Sequence, residues 1–324
     1  MGVGGPKPGA PAHHREHGFA NLNPAFARAP FWTRTRFFVT RILETTFAPK
    51  RATFPIAAND PAALRANTTA PTVTWVGHAT LLVQLDGLNV LTDPHFSERA
   101  SPVGFAGPRR LVPPGVPLDA VPELAFALLS HDHYDHTDLP TVRRLAARGV
   151  RFVAPRGVGE LVRGVGGEAL ELGWWESASL GTLRVTCVPA QHFSGRTLTD
   201  RNRRLWAGWV VEGPTRRFYF AGDTAYFPGL AEIGRRLGPF HLAAVPIGAY
   251  EPRSMMGAVH ANPEEGLQAG LDLGADRILG MHWGTFDLAD EPLDEPPRRF
   301  LGEAGRRGAG DRAFVLEVGA TAAF

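Results

Sequence analysis

A chain of 324 residues exceeds the ~100–200 of a typical domain, but large sandwiches fold as one unit, and a hydrophobic content of 44% is ample for a substantial core. The formal charge of +2 and a pI near 9.0, with arginine far outnumbering lysine, come without a concentrated basic face and argue against nucleic acid as a partner. The 37 glycines and 28 prolines, with no repeats or heptads, fit many short strands joined by turns and not a helical bundle.

Residues 1–12 are Gly/Pro-rich, lack the long apolar core of a signal peptide and are expected to be disordered. His13, His14 and His17 follow in a polar segment and read as solvated. From Pro30 the character changes: Phe31, Trp32, Phe37, Phe38, Val39, Ile42, Leu43 and Phe47 are interleaved with Arg34, Arg36 and Arg41. Phe38, Val39, Ile42 and Leu43 recur at helical spacing, so residues 31–47 read as an amphipathic helix. Such a helix either packs on the rest of the protein or lies in a membrane interface; it is too short and too charged to span a bilayer.

Strands are predicted at 72–85, 88–91, 125–129, 151–153, 183–188, 206–211, 218–220, 242–246, 278–281 and 314–317, and helices at 139–147, 158–162, 230–236, 263–273 and 296–306. Two runs of strands with helices between and after them describe an α/β protein of packed sheets, without distinguishing among α/β folds. The cluster Arg201 to Arg204 is read first as a solvated loop and second as a contact for anionic headgroups or substrate phosphate.

The densest chemistry lies in His131-Asp132-His133-Tyr134-Asp135-His136, four metal-ligand candidates in six residues directly after the apolar run 125–129. That run reads as a buried strand, and Asp138 as the cap of a helix that Pro140 opens, so the ligands occupy a tight strand-to-helix loop. Imidazole and carboxylate donors suit zinc and its neighbours, whereas a thiolate site needs cysteines. The one cysteine, Cys187, reads as a core thiol. A solvated His-rich loop is the plain alternative. Three further residues at strand ends weigh against it: His192 after 183–188, Asp223 after the aromatic strand that Gly222 breaks, and His282 after 278–281.

These residues resemble the metallo-β-lactamase superfamily, and the stretches Trp75-Val76-Gly77-His78-Ala79-Thr80, Leu91-Thr92-Asp93-Pro94, Gly222-Asp223-Thr224-Ala225-Tyr226, Gly248-Ala249-Tyr250-Glu251-Pro252-Arg253 and His282-Trp283-Gly284-Thr285-Phe286 resemble its N-acyl-phosphatidylethanolamine-hydrolysing phospholipase D family. The resemblance covers residues 71–318. It implies an αββα sandwich of two mixed sheets with helices on the outer faces. The hydrolase domain is then 71–324, and residues 1–70 are an N-terminal extension, partly disordered. The resemblance also implies one zinc on His131, His133 and His192, a second on Asp135, His136 and His282, and Asp223 bridging them; iron or manganese would also accept these donors. Two such ions share a hydroxide that attacks phosphorus, giving phosphatidic acid and an N-acylethanolamine.

Asp135, Asp223 and His260 are the residues expected to serve catalysis, His260 by contacting phosphate or protonating the leaving group, as its position in the resembling family implies. Tyr250 and Arg253 are candidate substrate contacts, although Arg253 equally suits pairing with a carboxylate such as Glu251 or Asp287. Asp93 and His78 are candidates to orient the ligands. A ligand set without cysteine and with a bridging Asp223 weighs against β-lactam hydrolysis. The rival readings are a lactonase or carboxylic ester hydrolase on the same site, and a noncatalytic metal-binding protein. The expected partner is a phospholipid substrate, with peripheral membrane contact through residues 31–47; a homodimer is left open. A single cysteine excludes an intramolecular disulfide and fits the cytoplasm.

Overall fold

The computed structural model describes residues 3–7, 9–23, 29–50 and 52–324. The expectation for residues 1–12 falls partly on Met1, Gly2 and Pro8, which lie outside the described residues. In chain order the elements are β1 (His14–Arg15), β2 (Gly18–Phe19), α1 (Phe31–Phe47), α2 (Pro61–Ala66), β3 (Thr72–Gly77), β4 (Thr80–Leu85), β5 (Leu88–Thr92), β6 (Phe126–Leu128), α3 (Leu139–Ala146), β7 (Phe152–Pro155), α4 (Gly159–Gly164), β8 (Ala169–Leu172) and β9 (Ser177–Leu180). They continue with β10 (Leu183–Val188), β11 (Gly208–Glu212), β12 (Arg217–Phe220), α5 (Gly229–Leu237), β13 (Phe240–Pro246), α6 (Arg253–Met256), α7 (Pro263–Asp272), β14 (Ala275–Met281), α8 (Glu295–Arg306), β15 (Ala313–Phe314) and β16 (Thr321–Ala323).

Two seven-stranded sheets result, ordered β16-β3-β4-β5-β6-β7-β8 and β15-β14-β13-β12-β11-β10-β9. Each is mixed: β16 to β5 pair antiparallel and β5 to β8 parallel, and in the second sheet β9 to β12 pair antiparallel and β12 to β15 parallel. The alternation of side chains along a strand explains the layering. On β4, Leu81, Val83 and Leu85 enter the core shared with Trp209, Val211 and Phe218 of the other sheet, while Leu82 joins Val142 and Leu145 of α3 on the outer face. On the second sheet's outer face, Ile233 of α5, Leu267 of α7 and Phe300 of α8 close the core. A fully buried phenylalanine such as Phe126, Phe218 or Phe300 contributes roughly 1.5–3 kcal/mol relative to an exposed one.

The sequence predicts one strand over 72–85, but the structure reverses the chain between β3 and β4, with His78 at φ 55° in the turn. Strand-favouring Thr, Val, Trp and Leu on both sides hide that turn, whose one local signal is Gly77-His78. Asp138 occupies the N-cap position of α3 but makes no capping bond. Its carboxylate accepts instead from Ser97 N at 2.9 Å, Ser97 Oγ at 2.8 Å and Thr141 Oγ1 at 2.5 Å, tying the loop after β5 to the helix.

Helix α1 faces outward with its apolar side chains. Trp32 is 77% and Phe47 80% exposed, and Phe38, Val39, Ile42 and Leu43 are about half exposed, while Arg41 is 6% exposed. Arg41 pairs with the buried Asp287 and donates to its carbonyl at 3.2 Å. No helix among the described residues is long and apolar enough to cross a membrane.

Candidate metal centre

The run 131–136 leaves β6 and turns into α3 at the strand ends of the first sheet, facing the ends of β10, β12 and β14 of the second. His131, His133 and His192 converge, with His131 Nε2 2.8 Å and His192 Nε2 3.2 Å from His133 Nδ1. His78, Asp135, His136 and His282 form a second group, in which His136 Nε2 lies 3.2 Å from His282 Nε2 and 3.3 Å from Asp135 Oδ2. Asp223 stands between the two: its Oδ2 is 3.2 Å from His136 Nε2, 3.7 Å from His192 Nε2 and 3.9 Å from His131 Nε2, and its Oδ1 is 3.0 Å from His282 Nε2. Gly222 makes this approach; at its φ of 58° a Cβ would come within 2.5 Å of the Ser130 Cβ.

The outer ring nitrogens decide what the inner ones can do. Asp93 accepts from Ser130 N at 2.7 Å and Ser130 Oγ at 2.6 Å, so the serine oxygen takes a proton from His131 Nδ1 at 2.9 Å. His136 Nδ1–H donates a hydrogen bond to Asp93 Oδ2 at 2.6 Å, and His192 Nδ1–H donates to the Val259 carbonyl at 2.9 Å. In His131 and His192 the Nε2 is then left as a lone pair pointing inward at His133 Nδ1, while His136 Nε2 faces the carboxylates of Asp135 and Asp223. Buried imidazole nitrogens and carboxylates converging on one another are a donor set for cations, so these residues fit a metal centre.

Electrostatics divide the rings into neutral ones and ones that the carboxylates hold charged, a positive charge that a bound cation would replace. Burial pushes His131 and His78 well below the usual imidazole range. Burial also opposes charge on His136, yet Asp223, Asp135 and Asp93 hold it well above that range. For Asp223, burial works upward and is overcome by His136, His282 and His260, which hold the carboxyl well below its usual range.

His78 and Asp93, the candidates for orienting groups, both meet members of the second group. His78 Nε2 reaches Asp135 Oδ2 at 2.9 Å, and Asp93 holds His136. Backbone strain gathers here, with His78, Asp93 and His282 at φ 55°, 33° and 65°. His260 lies beside Asp223, with Nδ1 3.9 Å from Oδ2 and without a hydrogen-bond partner. Tyr250 and Arg253 are directed elsewhere. The Tyr250 hydroxyl donates to Glu295 at 2.5 Å, and Arg253 forks onto Glu265 at 2.7 and 2.9 Å and donates to the His260 carbonyl at 2.9 Å.

Several supporting residues carry no sequence signal. Asp132, between two ligand candidates, accepts from Gly195 N at 2.7 Å and Arg204 Nη1 at 3.1 Å, and Arg204 also binds Asp200 at 2.9 Å, so Arg204 belongs to a part-buried ion-pair network and not to a solvated loop. Arg196 donates to the carbonyls of Asp132 at 2.7 Å and Thr137 at 2.9 Å, bracing the run from outside. His13, read as solvated, is buried and stacks on Trp174 at 4.2 Å. Asn21 grips the backbone of His192.

A cavity of about 560 Å³ opens over the site. Its lining includes His133, Asp135, Asp223 and His260, the apolar Phe37, Phe38 and Ile42 of α1 with Met255, Met256 and Phe193, and the charged Arg34 and Arg201.

Residues 88–283 match the family model described as a beta-lactamase superfamily domain. The chain is 42% identical over 299 residues to an uncharacterized protein of Mycobacterium tuberculosis, covering 90% of this chain and 79% of that one. It is 42% identical over 257 residues to N-acyl-phosphatidylethanolamine-hydrolyzing phospholipase D 1 of Caenorhabditis elegans, covering 75% of this chain and 72% of the relative. An isothiocyanate hydrolase from Delia radicum gut bacteria superposes with a TM-score of 0.64 over 78% of this chain and 99% of its own, at 21% identity, a likeness of fold alone. The αββα sandwich, its inward-facing His and Asp donors and these two levels of similarity agree, and the chain belongs to the N-acyl-phosphatidylethanolamine-hydrolysing phospholipase D family of metal-dependent hydrolases within the metallo-β-lactamase superfamily.

Proposed function

We propose that the protein is a two-metal phosphodiesterase that hydrolyses N-acyl-phosphatidylethanolamine, or a related phospholipid, to phosphatidic acid and an N-acylethanolamine. The observation that carries the reading is the apolar cavity that ends on His133, Asp135, Asp223 and His260. A substrate with long hydrocarbon chains and a phosphodiester needs greasy walls, which these residues supply, and positive charge at one end, which bound ions would supply. His131, His133 and His192 would hold one zinc ion and Asp135, His136 and His282 the other, with Asp223 between them. Bound there, the ions would supply an acidified water as nucleophile and positive charge against the phosphoryl oxygens.

The chain's own residues do the rest. Asp93 and the Val259 carbonyl keep the rings of His136 and His192 turned inward. His260 lines the same cavity, and its unpartnered Nδ1 suits it to donate a hydrogen bond to a phosphoryl or leaving-group oxygen. Phe38 and Ile42 line the cavity while Phe31, Trp32 and Phe47 on the same helix are exposed, which supports a peripheral lipid contact through residues 31–47 that feeds the site.

The test is release of N-acylethanolamine from mixed vesicles by the zinc-loaded protein. Release that stops on chelation and returns with zinc is expected. No release from fully metallated protein would sink the lipid assignment and favour lactones or carboxylic esters.

A further inference from the structure

We propose that Asn21 is a positioning residue for His192, delivered by the β1–β2 hairpin, so that a segment far from the ligand run completes one half of the metal centre. The inference rests on His192 acting as a metal ligand. His192 lies in the long loop between β10 and β11, which has no ladder partner of its own. Its ring is aimed by the Val259 carbonyl, but its backbone is held by one side chain 171 positions away. Asn21 Nδ2 donates to the His192 carbonyl at 2.8 Å, and Asn21 Oδ1 accepts from His192 N at 3.2 Å. The same Oδ1 accepts from the buried Trp206 Nε1 at 3.1 Å, which also donates to the Ala190 carbonyl at 2.9 Å. A carboxamide is the side chain for this task, because it pairs with a peptide as a neighbouring strand would, one donor to the carbonyl and one acceptor for the N–H.

The hairpin is docked to bring Asn21 there. Phe19 N donates to the Asn202 carbonyl at 2.8 Å, and Phe19 itself is buried in the main core. Gly18, at φ 151°, lies against the same residue so closely that a Cβ would come within 2.1 Å of the Asn202 oxygen. His13 stacks on Trp174 at the hairpin's other side. Asn202 N in turn donates to the Ser194 carbonyl at 3.0 Å, two residues beyond His192, so hairpin and ligand loop are tied at two points.

The experiment measures metal retention in the full-length zinc-loaded protein by competition with a chromogenic chelator, together with the visible absorption of the cobalt-substituted form, neither of which needs a substrate. Asn21→Ala is expected to release one of the two ions at a roughly ten- to hundredfold lower chelator concentration, with the other unchanged and the cobalt bands of one site altered. Asn21→Asp, which keeps the acceptor and loses the donor, falls between, and Gly18→Ala, which undocks the hairpin, moves the same way. Two controls make the result decisive. His192→Ala must itself lose an ion; if it retains both, the ligand reading is wrong and the proposal goes with it. If His192→Ala loses an ion while Asn21→Ala retains both with unchanged cobalt bands, the positioning role alone is overturned. Phe300→Leu weakens the core away from the site, and equal ion loss in that variant would show that Asn21 acts only through general stability, which also overturns the proposal.

Discussion

On the two-ion assignment proposed above, the two halves of the candidate metal centre are supported in different ways. In the half built on Asp135, His136 and His282, carboxylates do the orienting: Asp93 accepts a hydrogen bond from the outer N–H of His136, Asp135 itself meets His78, and Asp223 faces His282. In the half built on His131, His133 and His192, the partners are neutral: a serine hydroxyl for His131, a peptide carbonyl for His192, and the carboxamide of Asn21 on the backbone. A carboxylate makes an imidazole a stronger donor than a neutral partner does, so the first half should bind its ion more tightly. The second half depends on chain segments brought from a distance, so its ion is the one exposed to loosening.

The largest effect tests what the halves share. Asp223→Asn removes one charge from the group between them and is expected to abolish nearly all turnover and lower the metal content to about one ion, read by elemental analysis; retained activity with two ions would remove Asp223 from the centre. Next, Asp93→Asn should weaken metal affinity by roughly ten- to hundredfold while the fold survives, and the ion lost first should be the one that Asn21→Ala leaves in place, because Asp93 meets His136 directly and His131 only through Ser130. Loss of the same ion from both variants would erase the distinction between the halves.

Arg204→Met probes the frame behind the run. It leaves the buried Asp132 carboxylate with only the Gly195 N–H and is expected to cost about 3 kcal/mol in urea unfolding. A change within about 0.5 kcal/mol would mean that the network is ornamental. The smallest effect concerns the hairpin. Burial, reinforced by His14, Arg15 and Arg156, lowers His13 from 6.5 to about 4. A folded value below the unfolded one means that protonation favours the unfolded chain, so the stabilisation is complete above pH 6.5 and fades as pH falls towards 4. The stability difference between the parent protein and His13→Gln should therefore shrink across that window, and a constant difference would contradict a neutral, docked His13.

Much of this was legible in advance where the signal is local. Four donor side chains in six residues after an apolar run declare themselves, and His192, Asp223 and His282 each stand where a strand pattern stops. The helices α3, α5, α7 and α8 come within two residues of their predicted bounds because caps and apolar periodicity are short-range. The Asp60-Pro61 start of α2 was also readable: Asp60 Oδ1 caps Ala62 N at 2.8 Å, but six residues offer too little period to notice. Strands β8 and β9 escaped for another reason. As edge strands, half exposed, they carry little of the apolar signal that marks their neighbours.

The sequence by itself determined the donor chemistry, the strand-to-helix loop that carries most of it and the α/β class, because these depend on residue type and spacing within a few positions. Tertiary structure decided the partners. Arg253 and Tyr250 belong to a family-like stretch, yet Glu265 and Glu295 claim them; Arg204 answers Asp132; α1 turns Arg41 inward and exposes Phe31, Trp32 and Phe47; and Asn21 meets His192. A donor is recognisable from its own side chain, but its partner depends on which distant segment the packing of two sheets brings within 3 Å, and a hydrogen bond across 171 positions leaves no periodicity to read.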